Sequence, residues 1–522
     1  MNFYEYIYMH RCHLAFMGTR DSEYSTSTYN QSVNRDSCVL RSCLSRHSAG
    51  IRVPSACMQF VNTSLEHLFL YSDSIITRVP VTLVMTLPMR PSCCFVALLQ
   101  LLHITTITSV VAQLQQEVPQ QHHLHPPDAE LFVPADDAIV VGPTSFPKPT
   151  DAIEPRGAVP IVLPTHGKHR PGADAVFAYA EGYSIPFYLH FVETLRATGF
   201  DGDIVLAIAE ERLVHPGVME YLTLQPNLVI YHSDMDCFAE DLKSPAPRKV
   251  TKQGSFDIFQ MCCLHQVYGW IDAGSGAVLR KAQDPRQGRV VATLRYEWYW
   301  IWLQNYHKNS WIMILDARDS YFQRNPFANV PRQSDPNVAQ GNLWFFGENA
   351  NATRLGKSTK NLNWLRQGYG VQVLDALREK PTICSGSTMG EVVAMEQYLR
   401  AEINEKDETE VRMTGSDQGF HNYLYYSHKL ANVDAIVGLT VWAQGHGVIN
   451  NLGALRTRPF VDWGVYNTTS HEVYNWDGSL APVVHQWDRD KDLHGYLFRV
   501  RFRELEAEWN RKKMGKTAPK QL

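Results

Sequence analysis

Asp316 and Asp319 stand three residues apart directly behind five mostly aliphatic residues, Trp311 to Leu315. Such a run is short enough for a buried strand, and Tyr321, Phe322 and Pro326 beyond it end regular structure. A strand that delivers carboxylates to its C-terminal edge places them where open α/β sheets bind ligands. Carboxylates gathered at that edge suit a hard divalent cation, Mg2+ or Mn2+, whose remaining ligands are commonly phosphate oxygens. Taken alone, the pair reads rather as a surface turn in which Asp caps a helix and pairs with Arg318.

The elements that must position these groups alternate along the chain. Ala175–Tyr179 reads as a strand, Pro186 to Thr198 has helical spacing closed by Gly199, and Asp203–Ala209 and Asn227–His232 read as two further buried strands. Ser255 to Tyr268 and Ala292 to Tyr306 have helical spacing, and the strand before Asp316 follows. The aromatic run Trp298 to Trp302 reads as core packing. Strands alternating with helices predict an α/β fold with a largely parallel, Rossmann-like sheet flanked by helices in a single large domain over residues 175–513.

This order, with paired Asp closing a strand, resembles the nucleotide-diphospho-sugar transferases of the GT-A type. The block from Asp316 through Arg318, Asp319, Phe322, Gln323 and Pro326 to Phe327 is similar to a variant found in a broad group of such enzymes. Phe345, Phe346 and Glu348 follow in that group's order, then Asn363 and Trp364 with Tyr369 and Gly370, then Cys384 to Gly390, then Asp417 to Asn422. The resemblance spans roughly Ala175 to Arg489. It implies a GT-A-like fold and a glycosyltransferase that uses Mn2+ or Mg2+, a nucleotide sugar (a UDP-sugar) as donor, and a glycan, protein or lipid as acceptor. It further implies Asp316, Asp319 and His485 as metal ligands. Arg295, Asp316, Arg318, Asn363, Trp364, Ser385 and Gly386 are implied as nucleotide-sugar-binding, and Glu348, Asp417 and Gln418 as catalytic. The usual signature is Asp-X-Asp, and the wider spacing here leaves open whether both Asp touch metal.

Each residue also has a plainer reading. Arg295 suits bidentate phosphate contacts or an ion pair with Glu297 or Asp316. Gly386 lets a backbone approach a sugar closely, or Ser385 and Gly386 form a turn before a helix over 391–403. Asp417 and Gln418 suit sugar hydroxyls or an acceptor proton, or cap a helix beside Ser416. His485 competes with His446 as the late histidine, and a lone His is often a structural hydrogen-bonding residue. A noncatalytic carbohydrate-binding protein with this fold is the alternative class. A haloacid-type phosphatase needs Asp-X-Asp, which Ala317 and Arg318 interrupt.

The rest of the chain reads as delivery. From Cys93 to Ala112 no residue is charged, Arg90 flanks the run, and Val110 to Ala112 makes a small-residue end, the pattern of a signal peptide or single-pass signal anchor over 89–112. Residues 1–88 read as an extension outside the working protein if Met89 is the start, residues 113–174 as a flexible stem of Gln, His and Pro clusters, and 514–522 as a tail. A Golgi or ER lumenal location, or secretion, follows. Net charge −4 and 44% hydrophobic residues argue against nucleic acid as a partner. Six of ten cysteines lie at or before the uncharged run, leaving Cys237, Cys262, Cys263 and Cys384 in the folded part, with disulfides permitted. Asn351 and Asn467 head sequons.

Overall fold

The computed structural model describes residues 145–239, 260–455 and 461–517. Within them, in chain order, the strands are β1 Val159–Pro160, β2 Ala175–Tyr179, β3 Asp203–Ile208, β4 Leu228–His232, β5 Met235–Ala239, β6 Gln260–Leu264, β7 Tyr268–Ile271, β8 Val278–Ala282, β9 Trp311–Leu315, β10 Ser320–Phe322, β11 Gly341–Gly347, β12 Ile383–Glu391, β13 Ile436–Trp442, β14 Ile449–Asn451 and β15 Val483–His485. The helices are α1 Ile185–Ala197, α2 Val218–Leu222, α3 Val291–Leu303, α4 Thr359–Leu377, α5 Val392–Thr409, α6 Ser416–Tyr426, α7 Lys491–Tyr496 and α8 Phe502–Thr517.

A seven-stranded sheet in the order β13-β11-β12-β9-β2-β3-β4 is the centre of this α/β fold. Its inner strands are buried on both faces, which is why they read as unbroken apolar runs rather than as alternating ones. Phe177 and Tyr179 of β2 face one core with Ile312 and Ile314 of β9, while Val176 and Ala178 face the other with Trp311, Met313 and Leu315. The first core is closed by α3, α5 and α6 through Trp298, Trp302, Tyr398 and Tyr423, and the second by α1, α2 and α8 through Leu189, Tyr221 and Leu505. The aromatic run of α3 is buried from Trp298 to Leu303, as its composition predicts. Deleting such a ring costs about 3–5 kcal/mol.

The sheet departs from the parallel expectation at one strand. β12 runs antiparallel to both β11 and β9, whereas β9, β2, β3 and β4 pair in parallel. That reversal decides the site. Ser387 pairs with Leu315, so the beginning of β12, Ser385 and Gly386, lies beside Asp316 at the C-terminal edge of β9.

Three other expectations are corrected. The helix expected over Ser255 to Tyr268 is absent where the structure describes it. Residues 260–264 form β6, antiparallel to β5, and Tyr268–Ile271 form β7 between β1 and β8. Strand pairing and a disulfide at Cys262, whose register partner is Cys237, override the local helical spacing. The stretch read as a stem is folded from residue 145 onward: Phe146, Ile153 and Ala158 are buried, and Arg170 pairs with the buried Asp203 at 2.7 Å. Its prolines suit extended chain laid against a core as well as they suit a linker. The helix expected to end at Ile403 continues to Thr409. The uncharged run Cys93 to Ala112 lies outside the described residues; among the described residues no helix is long and apolar enough to cross a membrane.

Candidate metal centre

Asp316 is the first residue past β9, and Asp319 closes the short 3-10 turn that follows it. The next residues form β10, which pairs antiparallel with β15 so that Ser320 faces His485. This pairing brings His485 back across more than 160 residues to Asp319. Asp316, Asp319 and His485 each offer one ligand atom, all within 4.8 Å of one another. Their side chains are 37%, 9% and 1% exposed, so the group opens to solvent on the Asp316 side, an entry path for an ion.

The tautomer of His485 follows from its partner. Its Nδ1 lies 2.7 Å from Asn451 Oδ1, while Asn451 Nδ2 donates to the carbonyls of Phe346 and Gly347 at 3.0 and 3.2 Å. With the amide nitrogen so committed, Oδ1 accepts, and the imidazole proton sits on Nδ1. Nε2 is then the ring nitrogen turned toward the acids. It is buried without a hydrogen-bond partner among the described residues and lies 3.6 Å from Asp319 Oδ1. In the neutral ring this nitrogen offers its lone pair to the space shared with the two carboxylates, where a cation would be held. A backing amide that fixes the ring is the usual support of a metal-binding His. The donor set therefore fits a divalent cation.

Arg295 of α3 organises the acids. It donates to Asp316 Oδ1 with one nitrogen and to Asp417 Oδ2 at 3.0 Å with another. The carboxylates accordingly titrate apart. Burial alone would raise Asp316, but the charge of Arg295 and its hydrogen bond, helped by Arg318, outweigh it and hold it below the ordinary range. Burial, reinforced by Asp488 and Asp316, raises Asp319 despite Arg489. Burial likewise raises Asp417 against Arg295.

The other expected residues divide. Ser385 reaches the group: its Oγ donates to Asp417 Oδ2 at 3.1 Å and its backbone nitrogen to Gln418 Oε1 at 2.8 Å. Gln418 thus splices α6 to β12. Asn422, one helical turn on, does the same to both backbone groups of Ile383 at 2.9 and 2.8 Å. Gly386 is required by the closeness of this group, since a Cβ there would stand 2.7 Å from Asp316 Oδ2 and 2.8 Å from His485 Cε1. Glu348 is half-buried, and its charge helps burial to raise the Cys384 thiol beside His485. Arg318 pairs with Asp488 at 3.0 Å.

Asn363 and Trp364 have their contacts elsewhere. Asn363 accepts from Arg366, and Trp364 donates to Thr414 O at 3.0 Å and packs against Gly415 and Gly419 at the start of α6. Trp364 thus supports the helix that carries Asp417. His446 lies near Asp477, whose carboxyl it helps to lower after the hydrogen bonds from Ser479, and the three-residue ligand group contains His485 in its place.

Three participants escaped the sequence. Asn451 is one of two adjacent Asn beyond β13, and nothing in its spacing marks it as the support of a histidine 34 residues later. Tyr183, in the turn after β2, is near enough to Asp316, Arg318 and Asp319 for their charges to act on its hydroxyl, which burial first drives above its ordinary value. Arg489 lies 3.7 Å from Asp319; its place four residues after His485 was the available signal.

No protein-family model matches the chain, and no curated protein matches it. Among solved structures the chain is similar to the galactosyltransferase LgtC in complex with donor and acceptor sugar analogs, at 10% identity and a TM-score of 0.31, over 64% of this chain and 95% of that one. It is similar also to an active-site mutant of LgtC, at 10% identity and a TM-score of 0.30, over the same shares of 64% and 95%.

Proposed function

We propose that the protein is a metal-dependent glycosyltransferase that moves a sugar from a nucleotide diphosphate, UDP in the first instance, to a glycan, protein or lipid acceptor. The observation that carries this reading is His485 Nε2, oriented by the contact of Nδ1 with Asn451, buried without a hydrogen-bond partner among the described residues and grouped with Asp316 and Asp319 at the C-terminal edge of β9. The order of motifs from Asp316 to Asn422 narrows such a metal site to sugar transfer.

Asp316, Asp319 and His485 would hold Mn2+ or Mg2+. A bound divalent ion supplies Lewis-acid stabilisation of the negative charge on a departing diphosphate. The chain's own residues do the rest. Arg295 holds the Asp316 carboxylate in place and ties it to Asp417. Asp417, held by Arg295 and Ser385, keeps its acceptor capacity at the start of α6, where it would take a hydrogen bond from a sugar hydroxyl or the acceptor. Gln418 and Asn422 keep β12 registered against that helix, so that Ser385 and Gly386 stay against the ligand group. Delivery to the secretory lumen rests on the uncharged run 93–112 and is supported by the disulfide at Cys262.

Transfer by the full chain, assayed with a panel of nucleotide sugars in Mn2+, tests the reading. Activity should vanish on dialysis against EDTA, return with Mn2+, and be lost in Asp319→Ala with the fold intact. A protein that gains no thermal stability from Mn2+ with any nucleotide sugar would sink it. Stabilisation by nucleotide sugars without any turnover would favour a noncatalytic sugar-binding protein. A reporter fused behind residues 89–120 that stays cytosolic and unglycosylated would remove the lumenal location.

A further inference from the structure

A cavity of about 270 Å3 lies between α1, α2 and α8, and none of the residues around it belongs to the Asp316, Asp319 and His485 group. Its α8 wall is one stripe of that helix. Glu506, Trp509, Asn510 and Lys513 follow at spacings of three and four residues, which bring side chains onto a common face. Leu505, one position before the stripe, is buried in the second core and holds the helix down. The facing wall is Ile185 at the start of α1, the turn before α2, and Glu220 within α2. β2 and β3 run parallel to β9. The chain that leaves them toward Ile185 and α2 therefore starts from the sheet edge at which Asp316 leaves β9.

The chemistry of this lining selects its ligand. Trp509 is half-buried, with its ring at 78° to that of Tyr221 and the centroids 5.2 Å apart. An indole held in this way offers a broad apolar surface. Glu506 is half-buried and Asn510 exposed, and neither side chain has a hydrogen-bond or ion-pair partner among the described residues. A carboxylate accepts hydrogen bonds, and an amide both donates and accepts them. An apolar platform flanked by such groups matches a pyranose ring, whose C–H face is apolar and whose rim carries hydroxyls. Lys513 pairs with Glu220 at 2.6 Å, so these two charges offset each other and Glu506 leaves the lining negative. That disfavours phosphates and carboxylates. The volume also falls below the roughly 300–1,000 Å3 of pockets for drug-sized ligands, which suits a single ring.

We propose that this cavity is a second binding site, separate from the metal centre, that takes one neutral sugar unit of a glycan against the Trp509 indole, with Glu506 and Asn510 pairing with its hydroxyls. The site does not depend on the transfer reaction. Saturation-transfer NMR on the full chain, in EDTA and without nucleotide, would use the methyl glycosides of glucose, galactose, mannose and N-acetylglucosamine as probes. At least one should receive saturation from the wild type. Glu506→Ala should weaken that glycoside about tenfold or more, because a hydrogen bond to a charged group is lost. Asn510→Ala should weaken it by a few-fold to about tenfold. Both changes place the best helix former on an outer face of α8, so the melting temperature should hold. Trp509→Phe keeps a ring beside Tyr221 while shrinking the platform, and should weaken binding too.

No saturation of any of these glycosides by folded wild type would overturn the proposal. So would a glycoside bound equally well by all three variants, since it would then sit elsewhere. Methylammonium bound in place of the glycosides, and lost in Glu506→Ala, would make the cavity a cation pocket and overturn the sugar assignment. With metal and donor both absent, the result stands apart from the transfer assay. Glycoside binding without transfer would remove the transferase reading and leave this site standing, and transfer without glycoside binding would do the reverse.

Discussion

His485 points its Nδ1 at Asn451 Oδ1 from 2.7 Å, and this single contact decides which ring nitrogen faces Asp316 and Asp319. The two residues are partners in the parallel β14–β15 pairing, so the orientation is set by backbone register as well as by the side chains. Asn451→Ala should therefore lower Mn2+ affinity about 10–100-fold without removing a ligand. Mn2+ titration followed by calorimetry checks this, and affinity equal to the wild type would show that Asn451 is dispensable to the centre.

Gly386→Ala should be a metal-site variant rather than a stability variant. The added methyl meets Asp316 Oδ2 and His485 Cε1 at 2.7 and 2.8 Å, and Asp316, the more exposed of the two, should give way against its pair with Arg295. Mn2+ affinity should drop at least about tenfold, in the range found when supports of a metal ligand are disturbed, while the melting temperature shifts by only a few degrees. A variant that melts far lower yet binds Mn2+ normally would contradict the close approach.

Arg295 couples two loops that the sequence keeps separate. Asp417 and Asp316 share its guanidinium, so Asp417→Asn should strengthen the remaining Arg295–Asp316 pair. A double-mutant cycle on Arg295→Gln and Asp417→Asn should give a coupling of about 0.5–3 kcal/mol in nucleotide binding or turnover. Additive effects would mean that Arg295 serves one partner only. Asp417→Asn alone should lower turnover far more than nucleotide affinity, as for an interaction made mainly in the transition state.

Glu402 gives a pH signature of its own. It is buried beside His421, at 3.8 Å, and burial holds its carboxyl well above the ordinary 4.5. Folded Glu402 is therefore neutral where the unfolded chain has already ionised, so its contribution to stability is full below about 4.5 and declines as pH rises toward the folded value. Glu402→Gln should match the wild type near pH 4.5 and exceed it at pH 7.5, the gap opening by at most about 1.4 kcal/mol per pH unit. His421, lowered to about 3 by burial, is common to both proteins and cancels in the comparison. Denaturant melts across this range are the measurement, and a gap that does not grow with pH would mean that Glu402 is ionised in the fold.

Much of the sheet was legible because its signals are local. Ala175–Tyr179 and Trp311–Leu315 are apolar runs of strand length, and both form strands with those bounds. The direction of β12 was not legible, since a single strand carries no mark of which way its neighbours run. Ser255 to Tyr268 misled because a spacing compatible with a helix was outweighed by pairing with β5 and β8, which a local pattern does not contain. At the candidate site, Asp316 and Asp319 stood out as carboxylates at a strand end, Arg295 was legible as a phosphate contact or an ion-pair partner, and Asp417 stood out through the order of motifs. Asn451 and Arg489 did not, because their importance comes from the β14–β15 pairing and the turn after His485.

Burial of β2 on both faces has a consequence for how the molecule opens. Phe177 belongs to one core and Ala178 to the other, yet they are consecutive in one hydrogen-bonded strand. Neither core can be exposed while the other keeps β2 in place, so their amide hydrogens should exchange with solvent only through complete opening, and at closely similar rates. Peptides from α8, which covers one core from outside, should exchange earlier. The slowest-exchanging segment would then end at Tyr179, directly before the turn that carries Tyr183 to the acids.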